Sequence, residues 1–126
     1  MEKRIIKTEQ APKAIGPYSQ AVMIGDMLFA SGQIALDPAT GELVEGGIEA
    51  QATRVMENIK NILAAAGMDF SNVVKSTIFI TDINNFAKVN EIYGKYFPEN
   101  PPARSTIEVS KLPKGALIEI EVIAHK

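Results

Sequence analysis

The side chains with the clearest chemical potential in this 126-residue chain lie near its end. Arg104, Thr106 and Glu108 alternate with Ser105, Ile107 and Val109, while Glu119 and Glu121 alternate with Ile118, Ile120, Val122 and Ala124. Strand side chains point to opposite faces in turn, so Glu119 and Glu121 share a face about 6.6 Å apart along the strand. Arginine offers a planar fork that grips a carboxylate by two charge-assisted hydrogen bonds. A glutamate beside it can orient a water or accept its proton. Together they suit a small substrate with a carboxylate next to an electrophilic carbon. The short connecting turn allows a hairpin and leaves a bulge or an insertion between the strands open; in a hairpin, apolar patterning puts Arg104 and Thr106 on the same face as Glu119 and Glu121, within one small region or across a subunit boundary. The same residues also read as an exposed strand-surface ion pair, an interaction that contributes little.

Other chemistries have fewer residues to draw on. Cysteine is absent and His125 is the single histidine, so thiol nucleophiles, disulfides and a histidine-rich zinc site within one chain are excluded. His125 stands one residue from the C-terminus and is expected to be frayed or solvated; a Ser-His-Asp triad would have only that imidazole to use. Gly32, Gly41, Gly46 and Gly47 form neither a dinucleotide fingerprint nor a phosphate loop. Tyr18, after Gly16-Pro17, reads equally as a packed ring and as a phenol lining a pocket. Ser31-Gly32-Gln33 closes a strand, where Gly32 serves either a turn or the close approach of a ligand. Asn90 interrupts an apolar helix stripe, as a solvated residue or a ligand contact.

The elements that must position these residues are readable from periodicity. Ile5-Ile6-Lys7 reads as a short strand, and residues 8–17 as a surface loop punctuated by Pro12, Gly16 and Pro17. Ser19–Ile24 and Met27–Ser31 make a hairpin through Gly25-Asp26. Ile48, Ala52, Val55, Ile59, Ile62 and Ala66 recur at helical steps, and Gly67 ends that helix. Val73–Ile80 is β-branched and reads as a strand. Phe86, Val89, Tyr93, Tyr96 and Phe97 mark a second helix opening after Asp82 or Asn84, stopped by Pro98, Pro101 and Pro102. Arg104–Ser110 and Ala116–Ala124 are the last strands. This order indicates one α+β domain over 1–126, with two helices on one face of a mixed sheet. The opposite face is left open for a dimer or trimer to cover.

Composition supports that picture: 46% hydrophobic and 22% charged residues are ordinary for a globular fold. The net charge of −2 comes with no basic block, which disfavours nucleic acid as a partner. No apolar run approaches the roughly 18 residues of a membrane span. The opening Met-Glu-Lys-Arg-Ile-Ile has no apolar signal region, so a cytoplasmic location is expected.

Several segments together resemble the RidA/YjgF family of reactive-intermediate (2-iminobutanoate/2-iminopropanoate) deaminases. They are Ile15–Ala21 (IGPYSQA), Phe29–Gln33 (FASGQ), Asn84–Asn90 (NNFAKVN), Pro102–Ser105 (PARS), Leu112–Lys114 (LPK) and Ile118–Glu121 (IEIE). The resemblance covers essentially the whole chain in order. It implies a chorismate-mutase-like α+β fold, assembled as a homotrimer whose sheets form a central barrel, with sites in clefts between subunits. By position it implies that Arg104 holds a substrate carboxylate, that Glu119 positions the attacking water with Tyr18 nearby, and that Ser31, Gly32 and Asn90 line the pocket. Thr106 stands where many members have cysteine, which removes any role resting on sulfur and leaves the backbone there available to substrate. The implied reaction is cofactor-free and metal-free hydrolysis of a 2-imino acid to a 2-oxo acid and ammonia. Two other readings stand beside it: a carboxylate-binding regulatory module of the same fold without turnover, and an RNA-cleaving protein, against which the missing basic stripe and histidine pair argue.

Overall fold

The computed structural model describes residues 2–126. Six strands form one sheet: β1 (Lys3–Ile6), β2 (Ala21–Ile24), β3 (Met27–Ala30), β4 (Val73–Ile80), β5 (Ala103–Glu108) and β6 (Ile118–His125). Two helices, α1 (Gly47–Ala65) and α2 (Phe86–Tyr96), pack together on one face. The strand order is β1-β2-β3-β6-β4-β5, antiparallel throughout except for the parallel pair β4/β5, whose crossover is α2. This is the α+β architecture expected, with a mixed sheet and its helices on one side.

The local reasons are those the residues supply. Gly25 takes φ 54°, the left-handed conformation a tight two-residue link needs. Helix α1 buries Ile48, Ala52, Val55, Met56, Ile59, Ile62 and Leu63 along one stripe, and Gly67 at φ 73° follows its last turn. Asp82 accepts a hydrogen bond from Asn84 N at 2.9 Å and opens the short 3₁₀ turn Ile83–Asn85 that leads into α2. On β6, Ile118, Ile120, Val122 and Ala124 are almost wholly buried under the helices. A strand so apolar on its inner face belongs at the centre of a sheet, and β6 lies between β3 and β4.

That placement excludes the hairpin between the last two strands and takes the open alternative, an insertion between them. β4 separates β5 from β6, and β5 is the sheet edge. After β5 the chain crosses the end of β4, where Thr81 N donates to Leu117 O at 3.2 Å, before entering β6. The face assignment of β5 is reversed as well. Arg104 pairs with Ser76 and Thr106 with Ile78, both on the helix side, whereas Ile107 pairs with Phe79 on the open side. Glu119 pairs with Phe79 from β6 and also belongs to the open side. Ile107 is the one large apolar residue of this short edge strand, too weak a pattern to fix which side faces inward. The terminus is also better held than expected: His125 ends β6 opposite Met27, and its carbonyl accepts from Asn72 Nδ2 at 3.1 Å, although the residue is exposed.

The open face mixes polar groups with exposed apolar ones. Ile5, Phe29 and Ile107 are 55%, 43% and 46% exposed, and the register puts Val22, Ile123 and Phe79 among them. No helix of the structure is long and apolar enough to cross a membrane.

Candidate active site

The candidate residues form two groups on opposite faces of the sheet. On the helix side, the Arg104 guanidinium carbon lies 5.0 Å from the centroid of the Tyr93 ring and 5.5 Å from that of Phe86. Phe86, Asn90 and Tyr93 stand at helical steps of four and three, so they fall on one stripe of α2. Ser76, across from Arg104 in the register, is fully buried and hydrogen-bonded to the Tyr93 hydroxyl. Burial pushes the Tyr93 phenol above its ordinary pKa, offset in part by the Ser76 bond and the Arg104 charge. The guanidinium itself packs against the two rings and makes no ion pair among the described residues. Nearby, Asn90 Oδ1 and Thr106 Oγ1 are buried without a hydrogen-bond partner.

These facts correct two of the sequence readings. Among the described residues the one ion pair is Lys88–Glu49 at 3.9 Å, so Arg104 is not half of a strand-surface salt bridge. Asn90 is half-buried with its side-chain oxygen enclosed, not a solvated helix residue. Glu108 has a structural task, accepting from Ile83 N at 2.8 Å.

On the other side, Tyr18, Gly32 and Glu119 line one cavity of about 400 Å³, together with Lys13, Ile15 and Lys114. Glu119 is half-buried and its pKa is raised, first by desolvation and then by repulsion from Glu121. Its side chain lies over Gly32. A Cβ built at position 32 would come within 2.8 Å of Glu119 Cδ and 3.0 Å of Cγ, so the absence of a side chain there is what makes room for the carboxylate. Ser31 works on the backbone: its hydroxyl donates to Ser19 O at 2.6 Å and its N–H to Gln20 O at 2.9 Å, fastening the end of β3 to the segment that carries Tyr18. Tyr18 is exposed, and its hydroxyl accepts from Ile15 N at 3.3 Å.

One chain therefore brings Tyr18, Gly32 and Glu119 together, and separately Arg104, Thr106 and Asn90. It does not bring Arg104 to Glu119. Sequence reading passed over Phe86 and Tyr93 as partners of Arg104 because aromatic residues on an amphipathic helix read as core. Their spacing of seven, opposite a strand arginine, is the signal that marks them. Lys13 carried no signal beyond charge, and Lys114 entered only as the end of the LPK segment. No cluster of three or more His, Asp or Glu able to hold a metal occurs among the described residues.

The family model described as Endoribonuclease L-PSP matches residues 8–126. Protein DfrA of Myxococcus xanthus is 60% identical over 126 residues, with 98% of this chain and 96% of that protein covered. The human 2-iminobutanoate/2-iminopropanoate deaminase is 52% identical over 122 residues, 97% of this chain and 89% of the human one. Among solved structures, RidA from an Antarctic Psychrobacter superposes with a TM-score of 0.94 at 46% identity, covering 98% of this chain and 99% of that one. Matched along nearly its whole length in sequence and in fold, the chain belongs to the RidA/YjgF family.

Proposed function

We propose that the protein hydrolyses 2-imino acids, 2-iminopropanoate and 2-iminobutanoate, to 2-oxo acids and ammonia, in clefts formed between copies of this chain in a homotrimer whose open sheet faces meet in a barrel. The observation that carries the reading is Arg104: a guanidinium held by two rings with no carboxylate partner among the described residues. A fixed, unpaired fork is what a small carboxylate needs. The deaminase named among its relatives supports the substrate class.

The chemistry follows from the two groups. Arg104 anchors the carboxylate, which puts the adjacent imine carbon at a fixed place. A water held by Glu119 attacks that carbon, and Glu119 takes the water's proton. With the imine nitrogen protonated at the start, the adduct carries a hydroxyl and an amino group; Glu119 passes its proton to that nitrogen, the C–N bond breaks while the hydroxyl loses its proton to water and becomes the carbonyl, and ammonia and the 2-oxo acid are released. A carboxylate whose pKa is raised by desolvation and by Glu121 exchanges protons closer to neutral pH than an ordinary one. Tyr18 and Gly32 shape the cavity around that water, and Asn90, Thr106 and the Ser31 backbone complete the walls. The arrangement calls for no cofactor or metal, and the cytoplasm is where dehydratase-derived imines would meet it.

Because Arg104 and Glu119 lie on opposite faces of the sheet, a second copy must bring one to the other. Complementation tests this. Arg104→Ala and Glu119→Gln chains, each inactive alone, are unfolded together and refolded. A pyridoxal-phosphate threonine dehydratase generates the imine in the assay, and ketoacid release is followed. Recovery of activity in the mixed sample, with three chains per particle by light scattering, is expected. A mixture as inactive as its parents would mean that the groups do not meet across a boundary. Wild-type protein that binds 2-oxobutanoate without speeding its release would point to a carboxylate-binding module instead.

Gly32 provides a second check. Gly32→Ala displaces the end of a flexible side chain, not backbone, so the fold survives while the Glu119 carboxylate moves. A misplacement of that size costs on the order of 10²-fold in kcat, with thermal unfolding unchanged. Full activity in the alanine variant would detach Glu119 from the reaction.

A further inference from the structure

The ladder between β1 and β2 ends at Ile6↔Ala21. Continued in register, it would pair Lys7 with Gln20 and Thr8 with Ser19, and the chain does not continue it. In place of a facing peptide, the Gln20 side chain takes over. Its Oε1 accepts from Thr8 N at 2.7 Å and its Nε2 donates to Thr8 O at 3.0 Å. These are the two bonds a neighbouring strand would make. The same Nε2 reaches Pro12 O at 2.8 Å and Ala11 O at 3.2 Å. Gln20 is 4% exposed, so these are buried bonds whose loss leaves backbone groups unpaired.

This substitution of a side chain for a strand has a consequence for the cavity. The backbone at Ser19 is released from the ladder, and its carbonyl accepts the Ser31 hydroxyl instead. Tyr18 turns out beside the cavity that holds Glu119, and the anchored segment supplies Pro12, Lys13 and Ile15 as its wall. We propose that Gln20 is a positioning residue for the reaction: its amide, standing in for a missing strand, fixes the loop that carries Tyr18 and encloses Glu119. The inference rests on the deaminase reading for its kinetic arm and on the geometry of the loop for its other arm.

The test uses Gln20→Met, which keeps volume and removes all four bonds, alone and with Tyr18→Phe. If Gln20 acts through Tyr18, the methionine variant loses roughly tenfold in kcat/KM and far less in the Tyr18→Phe background, because the two residues share one effect. The second arm follows the Glu119 carboxyl by carbon-detected NMR titration. A loosened loop hydrates the cavity, and the Glu119 midpoint moves down toward the ordinary carboxylate range, with the facing residues Glu121, Lys13 and Lys114 the same in both proteins. Wild-type kinetics with an unmoved titration would overturn the inference, as would equal fold losses in both backgrounds. If the wild-type protein releases no ketoacid yet the titration moves, the deaminase reading fails and the positioning role stands. Should the methionine variant not fold, Gln20→Glu keeps the acceptor for Thr8 N–H, loses the donors and is measured the same way.

Discussion

Arg104→Ala lowers kcat/KM for 2-iminobutanoate by roughly 10²–10³-fold. Removing one partner of a charge-assisted contact costs about 2–5 kcal/mol, and each 1.4 kcal/mol is about tenfold in rate. The fold is expected to survive. The guanidinium packs on Phe86 and Tyr93 at a sheet edge, and such cation–π contacts are worth about 1 kcal/mol. Arg104→Lys separates charge from geometry: it keeps the cation, loses the planar fork and falls between wild type and alanine. The ketoacid assay reads turnover, and thermal unfolding reads integrity. An alanine variant with unchanged kcat/KM would remove the anchor from the mechanism.

Glu119→Gln has the second large effect, and its signature differs. General acid–base help is worth about 10²–10⁴-fold, so kcat is expected to fall by that order while the affinity for 2-oxobutanoate, assigned to Arg104 in the proposed mechanism, is retained. Equal loss of turnover and binding would reassign Glu119 to structure. Stability moves the other way. The Glu119 pKa is raised in the folded chain by desolvation and by Glu121. A raised carboxyl favours the protonated form on folding, so its contribution is most favourable below the ordinary glutamate pKa and is lost as pH rises through the folded value. The glutamine variant carries no such burden. Its melting temperature is expected to exceed that of wild type at neutral pH, with the gap closing in acid. A gap that widens in acid would mean that Glu119 is stabilised as a carboxylate.

Much of this could be read from residue order because local patterns were strong. The hairpin of β2 and β3 follows from Gly25-Asp26, α1 from a long run of spaced aliphatic residues, and β4 from a segment rich in β-branched residues. The strand arrangement beyond that could not. Nothing local distinguishes a hairpin between β5 and β6 from insertion of β6 beside β4. What decides is how deeply the inner face of β6 must be buried, which is a property of the whole sheet. The same global cause reversed the faces of Arg104 and Ile107. Gln20 was invisible for another reason: a glutamine before a strand has no periodicity to betray that it replaces a peptide.

The sheet also works as an insulating partition. Ile78, Ile118 and Ile120 fill the layer under the helices and are essentially inaccessible, so within a chain a filled apolar layer stands between the Arg104 side and the Glu119 side. On the proposed reading, a substitution beside Arg104 and one beside Glu119 would then act separately within a chain and meet only where two copies do.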